Sequence, residues 1–358
     1  MTLWSAHELG ASTRMKGVSR KSTNPDVSVI IVTYNCASYI RDCIESVLKQ
    51  TGVNLEIIVV DNASTDSTRE ILQTFEKEVE CIFLGRNFGL AVARNLASSK
   101  ARAPVLCFLD PDVFLKENAI LQALLPLSDS KVGTVYGANL VAENPTLVLG
   151  IGIDEGGWHY NEPITRFKHP LETLYALGGF FLLRKSLWNH INQYDVNFFF
   201  GWEEVDLGWR IWMVDYKVVF VPTALCYHIG RTLRKDPKYR DLTAYSEVKG
   251  FLYLMFKNLE SKFLAAFAVP AILSATWVFL SASVRYGTLV GSSMAVKWVF
   301  ANVRSIFAER VKVQSKRKVS DARLFRYLVY LIFPLQTARI AFDLAAKQIS
   351  DRFQQGAL

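Results

Sequence analysis

The chain has 358 residues, of which 51% are hydrophobic, and carries a formal net charge of +8. This length allows two domains, or one domain with a large appendage, around a sizeable core. The basic residues concentrate in the last third of the chain beside long apolar runs. That distribution favours a membrane surface, and not nucleic acid, as the partner of the positive charge.

The cysteines and the N-terminal segment indicate the compartment. Five scattered cysteines form no CxxC pair, which argues against a disulfide framework and for reduced thiols in the cytosol. Residues 1–24 are polar and contain no apolar core segment. We therefore expect a loose arm there and no signal peptide.

Strands and helices alternate through the next 90 or so residues. We predict helices over Tyr39–Lys49 and Leu90–Ser98, and a further helix that begins at Ser64 as its N-cap. The predicted strands are Val27–Thr33, Leu55–Val60, Glu80–Leu84 and Pro104–Leu109. This alternation predicts an α/β fold with a Rossmann-like, mainly parallel sheet and helices on both faces.

Polar side chains follow three of these strands, at Thr33-Tyr34-Asn35, Asp61-Asn62 and Asp110-Pro-Asp112. Right-handed crossovers bring such strand ends to one edge, where ligands bind. Two carboxylates two residues apart are costly to desolvate unless a positive group lies between them, and a divalent cation that holds a diphosphate is the natural candidate. The alternatives are an ordinary Asp-Pro-Asp turn and a helix-capping role for Asp61.

The segment Asn87–Asn95 combines a glycine and an arginine at the start of a predicted helix. Gly89 permits close approach of the backbone to a ligand. A guanidinium at Arg94 could meet phosphate or ribose oxygens, although an arginine on the surface of an amphipathic helix is the alternative.

The second half begins with a predicted strand over Lys131–Val141, followed by an irregular binding loop or lid over 142–172. A short strand is predicted over Lys217–Pro222, with His228 following it. Asp206 and Arg210 lie four residues apart on a helix and predict a supporting ion pair.

Glu203 and Glu204 follow an aromatic, glycine-bearing approach that ends at Trp202. Either carboxylate could serve as a general base. The alternative is that both are simply acidic residues in the first turn of a helix, where the helix dipole favours negative charge.

Taken together, residues 25–230 resemble a family 2 inverting glycosyltransferase of the GT-A fold, of the rhamnosyltransferase-like, polysaccharide-biosynthesis type. The matching pieces are Pro25–Asn35, Val60–Ser64, Asn87–Asn95, Asp110-Pro-Asp112 as the DxD motif, Ala176–Arg184 with its Gly178-Gly179 pair, and Phe198–Arg210. The QxxRW motif of processive synthases is absent from the sequence, which favours transfer of one sugar per encounter.

The resemblance also implies roles for individual residues. Glu204 stands where the family usually has an aspartate as catalytic base, a departure that leaves Glu203 as an alternative base. Mn²⁺ or Mg²⁺ would be held by Asp110, Asp112 and His228. The donor or acceptor would contact Thr33, Tyr34, Asn35, Asp61, Asn87, Gly89, Arg94, Asp110, Gly178, Gly179, Trp202 and Arg231.

Residues 241–358 are predicted to form a helical, membrane-associated region. Phe263–Val284 is uncharged and long enough for a bilayer, although its proline and hydroxyl residues weaken that case. Arg304–Arg326 is strongly basic, so we expect an even number of crossings, either a hairpin over 263–303 or none. With none, amphipathic helices would lie on anionic lipid at the cytoplasmic face. A buried helical subdomain is the alternative.

The expected organisation is an arm over 1–24, a GT-A domain over 25–240, and the helical region. Within the GT-A domain, 25–115 would bind the nucleotide and 116–240 the acceptor. The expected activity is metal-dependent, inverting transfer of one sugar from a nucleoside diphosphate to a hydroxyl of a lipid-linked or polysaccharide acceptor. The alternatives are a polyprenyl-phosphate sugar synthase and a nucleotidyltransferase or non-catalytic nucleotide-sugar binder.

Overall fold

The computed structural model describes residues 12–14, 24–154, 157–198, 201–230, 239–266 and 268–332. The chain divides into two compact units. We call residues 1–152 with 159–233 the sheet unit, and residues 153–158 with 234–358 the helical unit. The division falls at residues 233–234, whereas the sequence pattern placed it at residue 240.

One mixed sheet contains the strands that the structure describes. In chain order the strands are β1 (Ser12–Arg14), β2 (Val27–Thr33), β3 (Leu55–Asp61), β4 (Glu80–Phe83), β5 (Val105–Leu109), β6 (Val113–Leu115), β7 (Val132–Val141), β8 (Asn144–Asp154), β9 (Gly157–Pro163), β10 (Leu171–Thr173), β11 (Phe180–Arg184) and β12 (Lys217–His228). The order across the sheet is β1-β4-β3-β2-β5-β11-β7-β12-β10. Strand β6 pairs with β12, β8 pairs with β7, and β9 pairs with β8.

The first half of the sheet is parallel, as predicted, because β4, β3, β2 and β5 all run the same way. Thr33 lies opposite Asp61, and Ile31 lies opposite Leu109. The carboxyl ends of β3, β2 and β5 therefore lie side by side. Within the predicted loose arm, β1 pairs antiparallel with β4, so Ser12–Arg14 depart from that expectation.

The second half corrects the prediction of a mainly parallel sheet. Strand β11 runs antiparallel to both β5 and β7, and only β12 runs parallel to β7. A run of buried apolar residues predicts a strand but carries no information about the direction of its neighbours. The direction was therefore decided by chain connections that sequence periodicity does not show.

Helices cover both faces of the central sheet. They are α1 (Ile40–Leu48), α2 (Thr68–Gln73), α3 (Leu90–Lys100), α4 (Ala119–Leu124), α5 (Lys185–His190) and α6 (Glu203–Met213). On one face Val29 and Ile31 pack with Ile40 and Ile44 of α1. On the other face, the ring of Phe108 stacks on that of Phe181 with the centroids 5.0 Å apart. The ring of Trp188 is tilted against Phe108, with the centroids 4.9 Å apart. Every residue of β2 is buried, as expected for a strand covered on both faces.

The predicted irregular segment over 142–172 is instead largely β-structure, because it contains β8, β9 and β10. Its glycines suggested a loop, but they permit close packing between backbones. A Cβ on Gly152 would lie 2.2 Å from the carbonyl oxygen of Tyr175. Gly152 therefore marks the close approach of β8 to the chain that follows β10.

The predicted short strand over Lys217–Pro222 is also longer than expected, since β12 continues to His228. The register with β7 shifts between Val221 and Leu225. A proline is tolerated in a strand at such an irregularity, where its missing N–H is not needed. His228 is consequently the last residue of the strand and does not follow it.

The helical unit contains α7 (Arg240–Asn258), α8 (Ser261–Ala266), α9 (Ala268–Tyr286), α10 (Val290–Ala301), α11 (Val303–Gln314) and α12 (Asp321–Ile332). Helices α9, α10 and α11 each pack against α7. The C-terminal carbonyls of α7 accept hydrogen bonds from two arginines: Arg310 donates to Phe256 and Leu259, and Arg317 donates to Asn258. Cations at this end of a helix also stabilise its dipole.

Among helices in the described parts of the chain, none combines the length and apolar content required to span a bilayer.

A buried carboxylate joins the parallel strands to the loop before β5. Glu56 accepts hydrogen bonds from the Ser28 hydroxyl at 2.5 Å, from the Arg102 backbone N–H at 2.8 Å and from the Arg102 side chain at 2.6 Å. Burial alone would raise the pKa of Glu56, but these hydrogen bonds outweigh it and hold the pKa below its ordinary value. The ionised form is therefore the one that the fold stabilises.

We predict that Glu56→Gln lowers the free energy of unfolding by about 1–2 kcal/mol at pH 7, because the amide cannot accept all three bonds. A group with a depressed folded pKa stabilises above its unfolded pKa and loses that effect as the pH falls through the folded pKa. The difference from the unmodified chain should therefore shrink on acidification. Urea unfolding at several pH values measures this difference in the free energy of unfolding. Glu78→Gln, at an exposed position, is the control.

Candidate active site

Strand pairing brings Asp110, Asp112 and His228 together from distant parts of the sequence. Asp110 follows β5, and its backbone N–H donates to the Gly179 carbonyl at 2.9 Å, just before β11. Asp112 precedes β6, whose first residue, Val113, lies opposite His228 on β12. The N–H of Ile229 donates to the Asp112 carbonyl at 3.1 Å. The end of β12 is therefore joined to the Asp-Pro-Asp segment.

These three side chains could hold a metal ion. One ligand atom from each lies within 4.8 Å of the others, and His228 Nε2 is 3.5 Å from Asp112 Oδ1. His228 Nδ1 is buried without a hydrogen-bond partner in the described residues. Two carboxylates and an imidazole are ligands that Mn²⁺ and related divalent cations accept. The residues present therefore fit the predicted metal.

Gly179 lies beside these three side chains, and its lack of a Cβ leaves room for His228 and Asn139. A Cβ on Gly179 would lie 2.8 Å from Asn139 Oδ1 and 3.3 Å from His228 Nδ1. The Asn139 Oδ1 accepts a hydrogen bond from the Cys226 thiol at 3.1 Å. Any larger residue at 179 would push against the imidazole, so glycine is required here for room.

The electrostatics indicate an excess of negative charge. Burial raises the pKa of Asp110 to about 6, and the carboxylates of Asp112 and Glu204 add to the rise although Arg94 opposes it. Burial alone would lower the pKa of His228, but Asp112 and Asp110 outweigh it and raise the pKa above its ordinary value. A cation placed among these groups would relieve the repulsion between the carboxylates.

Arg94 of α3 lies beneath this cluster, with a side chain that is 1% exposed. It donates to Asp110 at 2.7 Å, to the Tyr194 hydroxyl at 3.1 Å and to the Gly178 carbonyl at 3.3 Å. Its guanidinium is also enclosed by the rings of Phe108, Phe181 and Tyr194. Arg94 is therefore neither a surface arginine nor an open phosphate-binding group, but a buried cation that positions the acids.

The two adjacent glutamates at the start of α6 differ in surroundings. Glu204 is 20% exposed, and its carboxylate lies 3.8 Å from Arg94. Glu203 is only 4% exposed. A Cβ on Gly178 would lie 2.3 Å from Glu204 Oε1, so the carboxylate lies directly over that glycine. Glu204 is thus the acid that shares Arg94 with Asp110 and keeps partial access to solvent.

Trp202 precedes α6 with a φ of 69°, in the left-handed region. Such a conformation is uncommon for a bulky residue and often marks a functional segment. Further along α6, Arg210 pairs with the buried Asp206 at 2.7 Å and donates to the carbonyls of Ile191 and Gln193. The predicted supporting ion pair is confirmed.

Polar residues at the ends of β2 and β3 form a second group. Asp61 is fully buried and accepts hydrogen bonds from the Ser64 N–H at 3.2 Å and from Arg69 at 2.6 Å. Thr33 is also fully buried, whereas Tyr34 and Asn35 are half-buried. Adjacent strands lie about 4.8 Å apart, so the ends of β3 and β5, on either side of β2, are separated by about 10 Å.

The loop after β3 corrects the predicted helix start. Ser64 does not cap a helix: its hydroxyl accepts a hydrogen bond from the Asn35 N–H at 2.9 Å, and α2 begins at Thr68. The Asp66 carboxylate accepts from the Thr68 N–H at 3.0 Å. The loop thus binds back to the end of β2, and the helix begins three residues later than expected, with Ser67 and not Ser64 at the N-cap position.

Asn87 and Gly89 are placed by Asn62. The Asn62 amide donates to the Asn87 side chain at 2.9 Å and to the Gly89 carbonyl at 3.3 Å, and it accepts from the Phe88 N–H at 2.9 Å. Gly89 has a φ of 85°, which favours glycine at the position that opens α3.

The structure thus brings Arg94, Asp110, Asp112, Gly178, Gly179, Glu204 and His228 into one cluster. Arg231 lies outside the described residues. The sequence patterns singled out Asn62 but missed Arg69, Asn139 and Tyr194. Tyr194 is 100 residues from Arg94, so no local spacing could have found it. Arg69 lies only eight residues after Asp61, but a loop separates β3 from α2, so helical spacing gave no signal for Arg69 either.

Comparison with known proteins agrees with this geometry. Residues 28–191 match the Glycosyl transferase family 2 model. A protein named as the teichuronic acid biosynthesis glycosyltransferase TuaG of Bacillus subtilis is 39% identical over 126 residues, which cover 34% of this chain and 50% of TuaG. The chain spans about half the length of the curated relatives it matches.

Two solved structures have the same fold. The first is GalNAc-T7 with UDP, GalNAc and Mn²⁺, at a TM-score of 0.55 and 17% identity, which covers 79% of this chain and 58% of that one. The second is a mannosyltransferase from Pyrobaculum calidifontis with GDP-Man and Mn²⁺, at a TM-score of 0.51 and 17% identity, which covers 90% of this chain and 91% of that one.

Residues 28–191 therefore form a glycosyl transferase family 2 domain, which confirms the family predicted from the motifs.

We predict that Arg94→Lys lowers the free energy of unfolding by about 1–3 kcal/mol, because an ammonium cannot make the same three planar bonds in a buried site. Urea unfolding measures the change. The exposed Arg41→Lys is the matched control and should unfold at the same urea concentration as the unmodified chain. Equal stability of both variants would contradict the central position of Arg94.

Proposed function

We propose that this protein transfers one sugar from a nucleoside diphosphate to a hydroxyl group, with inversion at the anomeric carbon and with a divalent cation. The observation that carries the proposal is the sharing of Arg94. The same guanidinium lies 2.7 Å from Asp110, a candidate metal ligand, and 3.8 Å from Glu204, a candidate base. A donor-binding acid and an acceptor-facing acid are thereby held in one network.

The donor would lie along the edge formed by β3, β2 and β5. Tyr34 and Asn35, half-buried at the end of β2, would contact the nucleoside. The Asn35 side chain accepts a hydrogen bond from the Thr65 N–H, which joins it to the loop after Asp61. The diphosphate then reaches the Asp110, Asp112 and His228 group. A separation of about 10 Å between the outer strand ends suits a nucleoside at one end and a diphosphate at the other.

Asp110, Asp112 and His228 would hold Mn²⁺ or Mg²⁺. When bound, the cation neutralises the negative charge that develops on the departing diphosphate. In our proposal Glu204 removes the proton from the acceptor hydroxyl while the oxygen attacks the anomeric carbon. The bond from that carbon to the phosphate oxygen breaks, and the diphosphate leaves with the electron pair. Arg94 keeps Glu204 and Asp110 in position without contact with the substrate.

The acceptor is proposed to be a lipid-linked or polysaccharide hydroxyl. TuaG is named for teichuronic acid biosynthesis, and a polymer of that class would offer such hydroxyls. The two similar solved structures hold UDP and GDP-Man, so nucleotide sugars of both bases are tested as donors. A thermal-shift panel of nucleotide sugars with Mn²⁺ identifies the donor, since a bound ligand raises the melting temperature.

Loss of a metal ligand should abolish turnover. We predict that Asp112→Asn lowers metal-dependent release of nucleoside diphosphate at least about tenfold, because changes even outside the ligand shell cost about 10–100-fold in affinity or activity. Chelation should stop the unmodified protein, and Mn²⁺ should restore it. The exposed Asp42→Asn is the control. Full activity of Asp112→Asn at saturating Mn²⁺ would contradict the proposed site.

The base can be identified by isosteric substitution. We predict that Glu204→Gln lowers the turnover number by about 10²–10⁴-fold with donor binding retained, because a positioned base contributes that much. Glu203→Gln, at the buried neighbour, should have a smaller effect, and the exposed Glu117→Gln should have none. Initial rates and donor affinity are measured together.

Retained transfer in both glutamine variants would instead favour a polyprenyl-phosphate acceptor, whose phosphate oxygen needs no separate base. Failure to release nucleoside diphosphate from any donor would favour a nucleotidyltransferase or a non-catalytic binder of nucleotide sugars.

A further inference from the structure

Helix α9 exposes an apolar stripe. Val269, Leu273, Leu280 and Val284 are 52–83% exposed, and their spacing puts them on one side of the helix. Thr276 lies in the same stripe, but its hydroxyl donates to the Ile272 carbonyl at 2.9 Å. The one polar side chain within the stripe therefore has its hydrogen bond inside the helix and does not need water for it.

The opposite side of α9 already has a partner. Ser274, Val278 and Ala282 are buried, and α9 packs against α7. The exposed stripe is thus a second apolar surface, in addition to the one that the helical unit needs for its own core. Large exposed apolar surfaces on folded proteins usually mark sites of interaction.

Helix α11 repeats this arrangement, and α10 also exposes large apolar side chains. On α11, Val303, Phe307 and Val311 follow one another at intervals of four residues and are 46–67% exposed. Its buried side carries Ile306 and Arg310. On α10 the exposed apolar residues are Val290, Met294 and Phe300. Both helices pack against α7, so their exposed sides also face away from the unit's own core.

The charges beside these stripes are almost all positive. In the described part of the helical unit after residue 260, the acids are Glu309, which pairs with Lys312, and Asp321, which is buried beside Arg317. Arg310 and Arg317 bind the end of α7 and are not part of the outer charge. The exposed basic residues include Lys297, Arg304, Lys318, Arg323 and Arg326. Arg285, Lys262 and Lys312 are also exposed but pair with Glu247, Glu260 and Glu309.

We propose that the outer faces of α9, α10 and α11 insert into the interfacial region of an anionic lipid bilayer. Apolar stripes bordered by lysine and arginine match such a surface, because the side chains enter the acyl boundary while the cations reach lipid phosphates. A second copy of this chain is a poorer occupant, because it would bring like charges together. The proposal concerns the helical unit alone and does not require glycosyl transfer.

Sedimentation of the full chain with sucrose-loaded vesicles tests this. We expect binding to vesicles of phosphatidylcholine with phosphatidylglycerol, weaker binding to phosphatidylcholine alone, and a decrease as salt rises. Leu280→Glu with Val284→Glu should lower the partition coefficient about tenfold or more, and Phe307→Glu with Val311→Glu should do the same. Leu125→Glu, which changes an exposed apolar residue of the sheet unit, is the control.

A charge variant, Lys297→Gln with Arg304→Gln, tests the proposal independently in case the glutamate substitutions disturb folding. It should lose several-fold in binding to anionic vesicles and little to phosphatidylcholine, and its urea unfolding should be unchanged. The proposal is overturned if anionic and neutral vesicles bind equally, or if the stripe variants bind as the control does. It is also overturned if light scattering shows a dimer that the stripe variants disrupt while vesicles are not bound.

Discussion

The position of one buried cation constrains the arrangement of this site. Arg94 contributes a charge to an environment closed by three aromatic rings, and it reaches Asp110, Glu204 and the Gly178 carbonyl at once. A buried guanidinium is stabilised only where its donors and its charge are matched. That requirement ties α3, the loop after β5 and the start of α6 to one another. The acids of the cluster are consequently held by the fold before any ligand arrives.

Two glycines show how tightly the cluster is built. Gly178 leaves room for the Glu204 carboxylate, and Gly179 leaves room for His228 and Asn139. Both lie directly before β11, whose antiparallel pairing with β5 places them beside Asp110. The antiparallel strand that the prediction missed is therefore the element that joins the two halves of the site. The metal-binding group and the candidate base depend on it together.

The helical unit has a different physical character. Its helices bury one side against α7 and expose apolar side chains on the other, with cations around them. In the sheet unit, by contrast, apolar side chains converge on two packed faces of the sheet. The two units thus differ in their hydrophobic surface: the sheet unit buries it within the chain, and the helical unit leaves part of it exposed.

Local patterns in the sequence were enough to predict the first half of the fold, the family and most of the acids. Alternating buried strands and helices, with polar residues after β2, β3 and β5, are local patterns that can be recognised without the tertiary structure. Residues such as Asp110 and Asp112 were found because they follow a buried strand directly. The Asp206–Arg210 pair was found because four residues form one turn of a helix.

The direction of β11, the strands within 142–172 and the greater exposure of Glu204 than of Glu203 became visible only in the folded chain. The tertiary structure also revealed Tyr194 and Asn139, and it changed Arg94 from a surface or ligand-contacting residue into a buried one. These features depend on contacts between residues far apart in sequence, such as Arg94 with Tyr194. Local spacing carries no information about such contacts, because they are set by how strands pair and how closely glycine lets backbones approach.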